Sequence, residues 1–290
     1  MSTPRPSRLK VAYIYLKRIS RWRRSSLPYI SGDAFADLAD YVHSPPKWRN
    51  FNSSTSLRDA KIIYCRSHEL QDFLNKNVGN LSAKVILAGN SDFEFHDVPI
   101  NIPKSVRALF LQNSFISDNQ FIFTIPIGIE NFRLGVNGNP KYIGRKRLTF
   151  EKENRVLFGP LSPTHPVRNS VISTFGNANN AWDLLLNRLS PREYDRVSQK
   201  FRFIAAVRGN GVDTHRLWEA LYRGLTPVVI RDGWWSSMED RYPQVQVINN
   251  WTICEIENLV QEETLKNFNA VEIEALWMPY WTKLITSFLE

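Results

Sequence analysis

Cysteine is scarce: Cys65 and Cys254 are the two in the chain, far apart and outside any CxxC or Cys/His spacing. That argues against a disulfide framework and a structural zinc site, and the expected setting is a reducing one. Glycine and proline, 13 and 16 of 290 residues, are scattered, without a collagen-like or low-complexity tract. No motif recurs at a fixed period of about 20 to 50 residues, which speaks against solenoids and propellers. No apolar run reaches the roughly 18 residues of a membrane span. The basic N-terminus is not followed by the apolar stretch of a secretory leader, so a cytoplasmic protein is expected. GxSxG, GxGxxG and Walker GK[ST] signatures are missing. The five histidines show no HxxxH or HExxH spacing.

Acidic residues are missing from one end. Residues 1–32 hold Arg5, Arg8, Lys10, Lys17, Arg18, Arg21, Arg23 and Arg24 with no Asp or Glu, and the rest carries 29 basic against 28 acidic groups. The net charge of +9 therefore belongs to one end of a nearly neutral body. A protein that tracks a phosphate backbone needs basic residues over an extended surface, so no nucleic-acid partner is expected. Two accounts stay open. One is contact of residues 1–25 with an anionic surface, such as the inner face of a membrane. The other is a solubilising face beside the first strand.

What is present is a 43% hydrophobic, 12% aromatic chain, enough for two core-bearing units. Short apolar runs at 10–16, 61–66, 84–88, 108–111 and 121–125 predict strands. Segments 33–42 and 69–75 predict helices, the first from apolar residues at helical spacing. Residues 128–153 are rich in Gly, Asn, Lys and Arg and mark the boundary. The second half repeats the pattern. Strands are predicted at 155–158, 201–207, 226–230 and 245–248. Helices are predicted after Ser190-Pro191-Arg192-Glu193, over 216–222, from Thr252 to about 266, and over 271–289. Continuous apolar strands between helices indicate α/β architecture with parallel sheets covered on both faces.

The chemistry concentrates in residues 201–232, where a strand feeds a glycine-containing loop and then a helix N-terminus. Glycines let backbone N–H groups approach a ligand, and the helix start adds unpaired N–H groups at the positive dipole end. Arg208 and Arg216 flank the loop, and guanidinium forks match phosphate oxygens. Arg216, Glu219 and Arg223 share one helical face. An ordinary strand–turn–helix with Glu219 in a surface ion pair accounts for the same spacing. Three carboxylates follow apolar runs and are candidate general bases, alternatives to one another: Asp33 (in SGD), Asp92 (after Gly89-Asn90-Ser91) and Glu130. Each also has a plain reading: Asp33 as a helix cap, Asp92 as a turn residue. His165-Pro166 and Arg168 are candidates for the cleft, or merely a turn.

Residues 208–229, RGNGVDTHRLWEALYRGLTPVV, resemble the donor-site signature of exostosin-like glycosyltransferases of bacterial type. In that family a Gly-rich loop leads into (S/T)xRxWEAL and GxxPV. LAGNSDF at 87–93, Gln112-Asn113 and PIGIEN at 126–131 are similar to upstream pieces of the family. The strong match covers about 25 residues, and WEAL-like helices also occur in fucosyltransferases. The resemblance implies a GT-B fold, two Rossmann-like lobes whose parallel sheets face an interlobe cleft. It divides the chain into an acceptor-side lobe (1–145), a donor-binding lobe (146–270) and a C-terminal helix (271–290) that packs back on the first lobe. It implies transfer of a sugar from a UDP or GDP sugar to a glycan or lipid-linked glycan, in surface polysaccharide synthesis. Arg208 and Arg216 would face the diphosphate, and Glu219 would hold ribose or sugar hydroxyls. Gly209, Asn210, Gly211, Asp213, Thr214 and His215 would line the cleft. No cofactor is implied. Asp92-Phe93-Glu94 has the form of a metal-binding DxD of GT-A enzymes, but the downstream signature favours GT-B, so no required metal is expected. The alternatives are a non-catalytic nucleotide- or sugar-binding module of the same fold and a fucosyltransferase-like GT-B enzyme.

Overall fold

A computed structural model describes residues 26–45, 55–134, 137–143, 152–261 and 270–290. The predicted strand at 10–16 and the basic residues 1–25 lie outside the described residues, as does part of the boundary region. Among the described residues the chain builds two five-stranded, all-parallel sheets. The first runs in sequence order: β1 (Tyr41–Val42), β2 (Ile62–Arg66), β3 (Val85–Gly89), β4 (Ala108–Leu111) and β5 (Ile122–Thr124). The second comprises β6 (Glu153–Phe158), β7 (Trp182–Leu184), β8 (Phe201–Ala205), β9 (Thr226–Ile230) and β10 (Gln246–Ile248). Its order is β10-β9-β8-β6-β7, so the chain leaves β6 for one side, returns to its other side, and there continues outward. The carboxyl ends of β6 and β8 thus flank a topological switch point, where parallel sheets leave a crevice.

The two-residue alternation of a strand explains the layers. Ile62, Tyr64, Val85, Leu87 and Phe110 face Phe35 of α1 (Gly32–Ala36) and Met278, Trp281 and Ile285 of α8 (Met278–Thr286). Their neighbours Ile63, Cys65, Ile86, Ala88 and Leu109 face Leu70, Phe73 and Leu74 of α2 (Leu70–Asn77). In the second sheet Val156, Phe158, Phe203 and Val228 pack on α3 (Pro166–Phe175) and α7 (Ile253–Gln261). Leu157 and Ile204 meet α4 (Pro191–Ser198) and α5 (His215–Tyr222) on the other side. Burial on both faces is why the strands read as continuous apolar runs. The chain's last helix, α8, therefore covers the first sheet, not the second.

Three expectations are corrected. The helix predicted over 33–42 ends at Ala36, because Asp40 accepts the N–H groups of Lys61 (2.8 Å) and Ile62 (2.9 Å) and delivers Tyr41–Val42 to the sheet as β1. The helix predicted over 271–289 is two 3-10 turns followed by α8, which starts beside Pro279; proline lacks the N–H a helix interior needs and suits its first turn. The turn at His165 opens α3, with His165 as cap and Pro166 next to it. At Ser190 the capping box forms as predicted, each side chain accepting the other residue's N–H at 3.3 and 2.8 Å. Among the described residues no helix is long and apolar enough to cross a membrane.

Candidate functional site

Strand β8 runs into the loop 208–214 and then α5. The loop's glycines sit close against neighbouring side chains. A Cβ on Gly209 would stand 3.0 Å from an Arg168 Nη, and one on Gly211 would stand 3.1 Å from the Asn113 side chain. Asp213 is 5% exposed. Its carboxylate accepts the Ile127 N–H (2.8 Å) and the Trp218 indole N–H (2.7 Å), while its own N–H donates to Asn113 (3.0 Å). Burial pushes its carboxyl up to about 7 against the pull of those hydrogen bonds. Asp213 therefore joins the glycine loop to the first sheet's connections and does not line the cleft as the motif implied.

A cavity of about 520 Å³ opens over the carboxyl ends of β8, β9 and β10. Its apolar wall includes Val171, Val212, Leu217, Trp234 and Trp251, and its polar groups include His165, Arg208, Thr214, Asp232 and Asn250. Three lining residues carry buried polar atoms with no hydrogen-bond partner among the described residues: Arg208 Nε, Thr214 Oγ1 and Trp234 Nε1. An unmade buried hydrogen bond costs about 1–3 kcal/mol, so three around one cavity single it out as the candidate site. Thr214 is telling. It is the N-cap of α5, where a threonine hydroxyl ordinarily accepts a helix N–H, yet it makes no capping bond.

Cations gather beside it. Arg168 donates to the carbonyls of Ser162 (3.2 Å), Val207 (3.0 Å) and Arg208 (2.8 Å). Arg216 donates to Gly159 (2.6 Å) and Pro160 (3.0 Å), across the switch point. Neither has an acidic partner within 4.0 Å among the described residues. Burial and the neighbouring Arg216 charge lower Arg168 to about 10, leaving it charged at neutral pH. Arg208 reaches across the seam to Glu94 at 2.5 Å. Burial first, then the Arg208 charge, depresses His165.

The remaining expected residues separate. Asn210 is exposed and donates to Asp92 (3.2 Å), bringing that candidate base to the loop. His215 bonds the Gly128 carbonyl through Nδ1 at 2.7 Å. Glu219 is turned away from the cavity. It pairs with Arg223 (3.3 Å), which pairs with Asp195 (2.9 Å), both guanidinium contacts being nearly buried. Asp33 is 1% exposed and holds Arg133 Nε (2.8 Å) and the Asn90 amide (3.2 Å). Glu130 accepts the N–H groups of Asn137 (2.7 Å) and Gly138 (3.3 Å), closing its own loop. Of the three candidate bases, Asp92 alone is exposed at the glycine loop.

Sequence reasoning missed Trp234, Trp251, Asp232 and Asn250. Their signal was position: Asp232-Gly-Trp-Trp and Asn249-Asn250-Trp251 directly follow β9 and β10, at the sheet edge where ligands bind. Asp232 caps α6 (Gly233–Ser236) through the Trp235 N–H (2.9 Å), and burial raises its carboxyl. Among the described residues no group of three or more His, Cys, Asp and Glu is gathered to hold a metal. No protein-family model matches the chain, and no curated protein matches it significantly.

Proposed function

We propose that the chain is a GT-B glycosyltransferase that takes a UDP or GDP sugar as donor and a glycan or lipid-linked glycan as acceptor. The observation that carries the reading is the cavity over β8, β9 and β10 with its three unpartnered polar atoms, beside two arginines that lack acidic partners. Its volume is within the range of small-ligand sites. Trp251 offers a stacking face for a base, and Asp232, which is in the cavity wall whereas Glu219 is paired with Arg223, offers a carboxylate to ribose hydroxyls. Arg168 and Arg216, with the start of α5, would take up the charge of the departing diphosphate. Asp92 would remove the proton from the acceptor hydroxyl as its oxygen bonds the anomeric carbon and the sugar–phosphate bond breaks.

Calorimetric titration with UDP, GDP, CDP, ADP and CMP tests the reading: UDP or GDP binds, and Thr214→Val weakens it. Binding of none of the five ends it. A second reading, a nucleotide-binding module without turnover, draws on the engagement of Asp33 and Glu130. Nucleotide affinity without cleavage of the corresponding nucleotide sugar would favour it. The anionic-surface role of residues 1–25 stands as a separate proposal. It is tested by charge reversal at Arg18, Arg21, Arg23 and Arg24 in liposome sedimentation.

A further inference from the structure

The first sheet has a pocket of its own. It encloses about 130 Å³ at the carboxyl ends of β1 and β2, bordered by His43, Tyr64, Arg66, His68, Asn90 and Arg133. No Asp or Glu is in its wall. The acids stand behind: Asp33 holds Arg133 by Nε alone (2.8 Å), and Glu69 lies 3.6 Å from both Arg66 and His68. The terminal amines of Arg133 have no hydrogen-bond partner among the described residues. The wall therefore presents two cations and a set of hydrogen-bond donors, with the balancing carboxylates set behind it. That arrangement suits a compact oxyanion accepting several bonds.

A second, independent observation points the same way. Tyr64 is 2% exposed, borders this pocket, and its buried hydroxyl has no partner among the described residues. Burial and the adjoining Asp33 push that phenol up, so it stays a donor at every physiological pH. A core tyrosine with an unmet hydroxyl is costlier than phenylalanine, unless something in the pocket accepts from it.

The pocket is also wired to the glycine loop. Asn90 is in its wall, His68 bonds Ser91 (2.9 Å), and Asp92 receives the Asn210 bond (3.2 Å). Asn90 and Asp92 are two residues apart, at most about 7 Å along the chain. The pocket's wall and the loop's partner are therefore neighbours along the chain.

Resting on the glycosyl-transfer reading, we infer that this pocket is the acceptor's anchor and takes an oxyanion, a carboxylate or phosphate, borne by the acceptor sugar. The experiment titrates the full chain with glucuronate, glucose 1-phosphate and neutral glucose at millimolar concentration, with and without saturating UDP or GDP, by calorimetry. At least one acidic ligand binds in the presence of nucleotide, and glucose does not. Whether the carboxylate or the phosphate wins identifies the source of the oxyanion. Arg66→Gln weakens the acidic ligand tenfold or more, and leaves nucleotide affinity within twofold. Tyr64→Phe weakens the acid several-fold with a melting temperature equal to or above that of the native chain. Acidic ligands that bind no better than glucose, or as well to both variants as to the native chain, overturn the inference. Nucleotide binding without acid binding removes this pocket alone. Acid binding lost in Arg66→Gln, with no nucleotide bound by any variant, keeps the pocket and removes the donor-cavity reading.

Discussion

Helix α5 has two polar edges with opposite fates. On one, Arg216, Glu219 and Arg223 are each paired: to carbonyls beyond β6, to one another, and to Asp195. On the other, Thr214 and Leu217 border the cavity, and the threonine hydroxyl is left unmet. The motif that suggested a donor site draws the eye to the charged edge. The difference between the edges sets side chains held by partners against a hydroxyl that has none among the described residues. The Glu219–Arg223–Asp195 chain fastens α5 to α4, whereas Thr214 Oγ1 is one of the buried polar atoms left without a partner among the described residues.

The comparison can be broken at its strongest contact. Arg223→Ala strands Asp195 as an uncompensated carboxylate in a site where both side chains are about 5–6% exposed, so chemical denaturation should show a loss of about 3–5 kcal/mol. A loss below about 1 kcal/mol would mean that the charged edge is not structural. On the cavity side, Trp251→Leu should cost nucleotide binding about 1–3 kcal/mol, the range for aromatic stacking on a base, in the titration that identifies the nucleotide.

Asp213 sharpens the comparison through pH. Its carboxyl sits near 7 when folded, above the roughly 3.9 of an exposed aspartate. The folded state therefore binds more protons between those values, and the stability from this group is complete at low pH and lost as pH rises towards 7. Urea midpoints at pH 5 and pH 7 should converge in Asp213→Asn relative to the native chain. Thr214→Val removes a hydroxyl that makes no capping bond, so the melting temperature should stay within about 2–4 °C while nucleotide affinity falls several-fold. The smallest effect belongs to Glu219→Gln: below about 1 kcal/mol in stability and no change in nucleotide affinity. A tenfold loss of affinity there would return the donor to the charged edge.

Much of the frame was legible in the chain. The runs at 108–111 and 226–230 are β4 and β9 as predicted, and the Ser190 capping box marks the start of α4. Local chemistry was sufficient for these because nearby residues supply the hydrogen bonds. β7 escaped notice because three residues among asparagines carry no period. α3 was hidden by the turn-like Thr164-His165-Pro166, although Val167, Val171 and Phe175 recur at helical spacing. The Glu219–Arg223 pair of α5 was among the sequence readings, but its burial against α4 was not. An amphipathic helix announces two faces, but Asp195, which claims the charged one, lies 28 residues away from Arg223. The unmet atoms of the cavity come from loops and strand ends that only the sheet order brings together.

The seam between the sheets is joined by two kinds of bond. At its base, the buried Asp213 accepts from Ile127, and the Tyr222 hydroxyl accepts from Ile30 at 2.9 Å while donating to Leu276 at 2.5 Å. At its rim, Arg208–Glu94, Asn210–Asp92 and Arg241–Asp118 are partly open to solvent. Dissolved ions screen exposed charge pairs far more than enclosed hydrogen bonds. Raising ionic strength should therefore weaken the rim pairs before it touches the buried hydrogen bonds at the base. Arg208 of the rim borders the cavity, so an anion bound there would compete with Glu94 for it and act on that pair as salt does, at a single point.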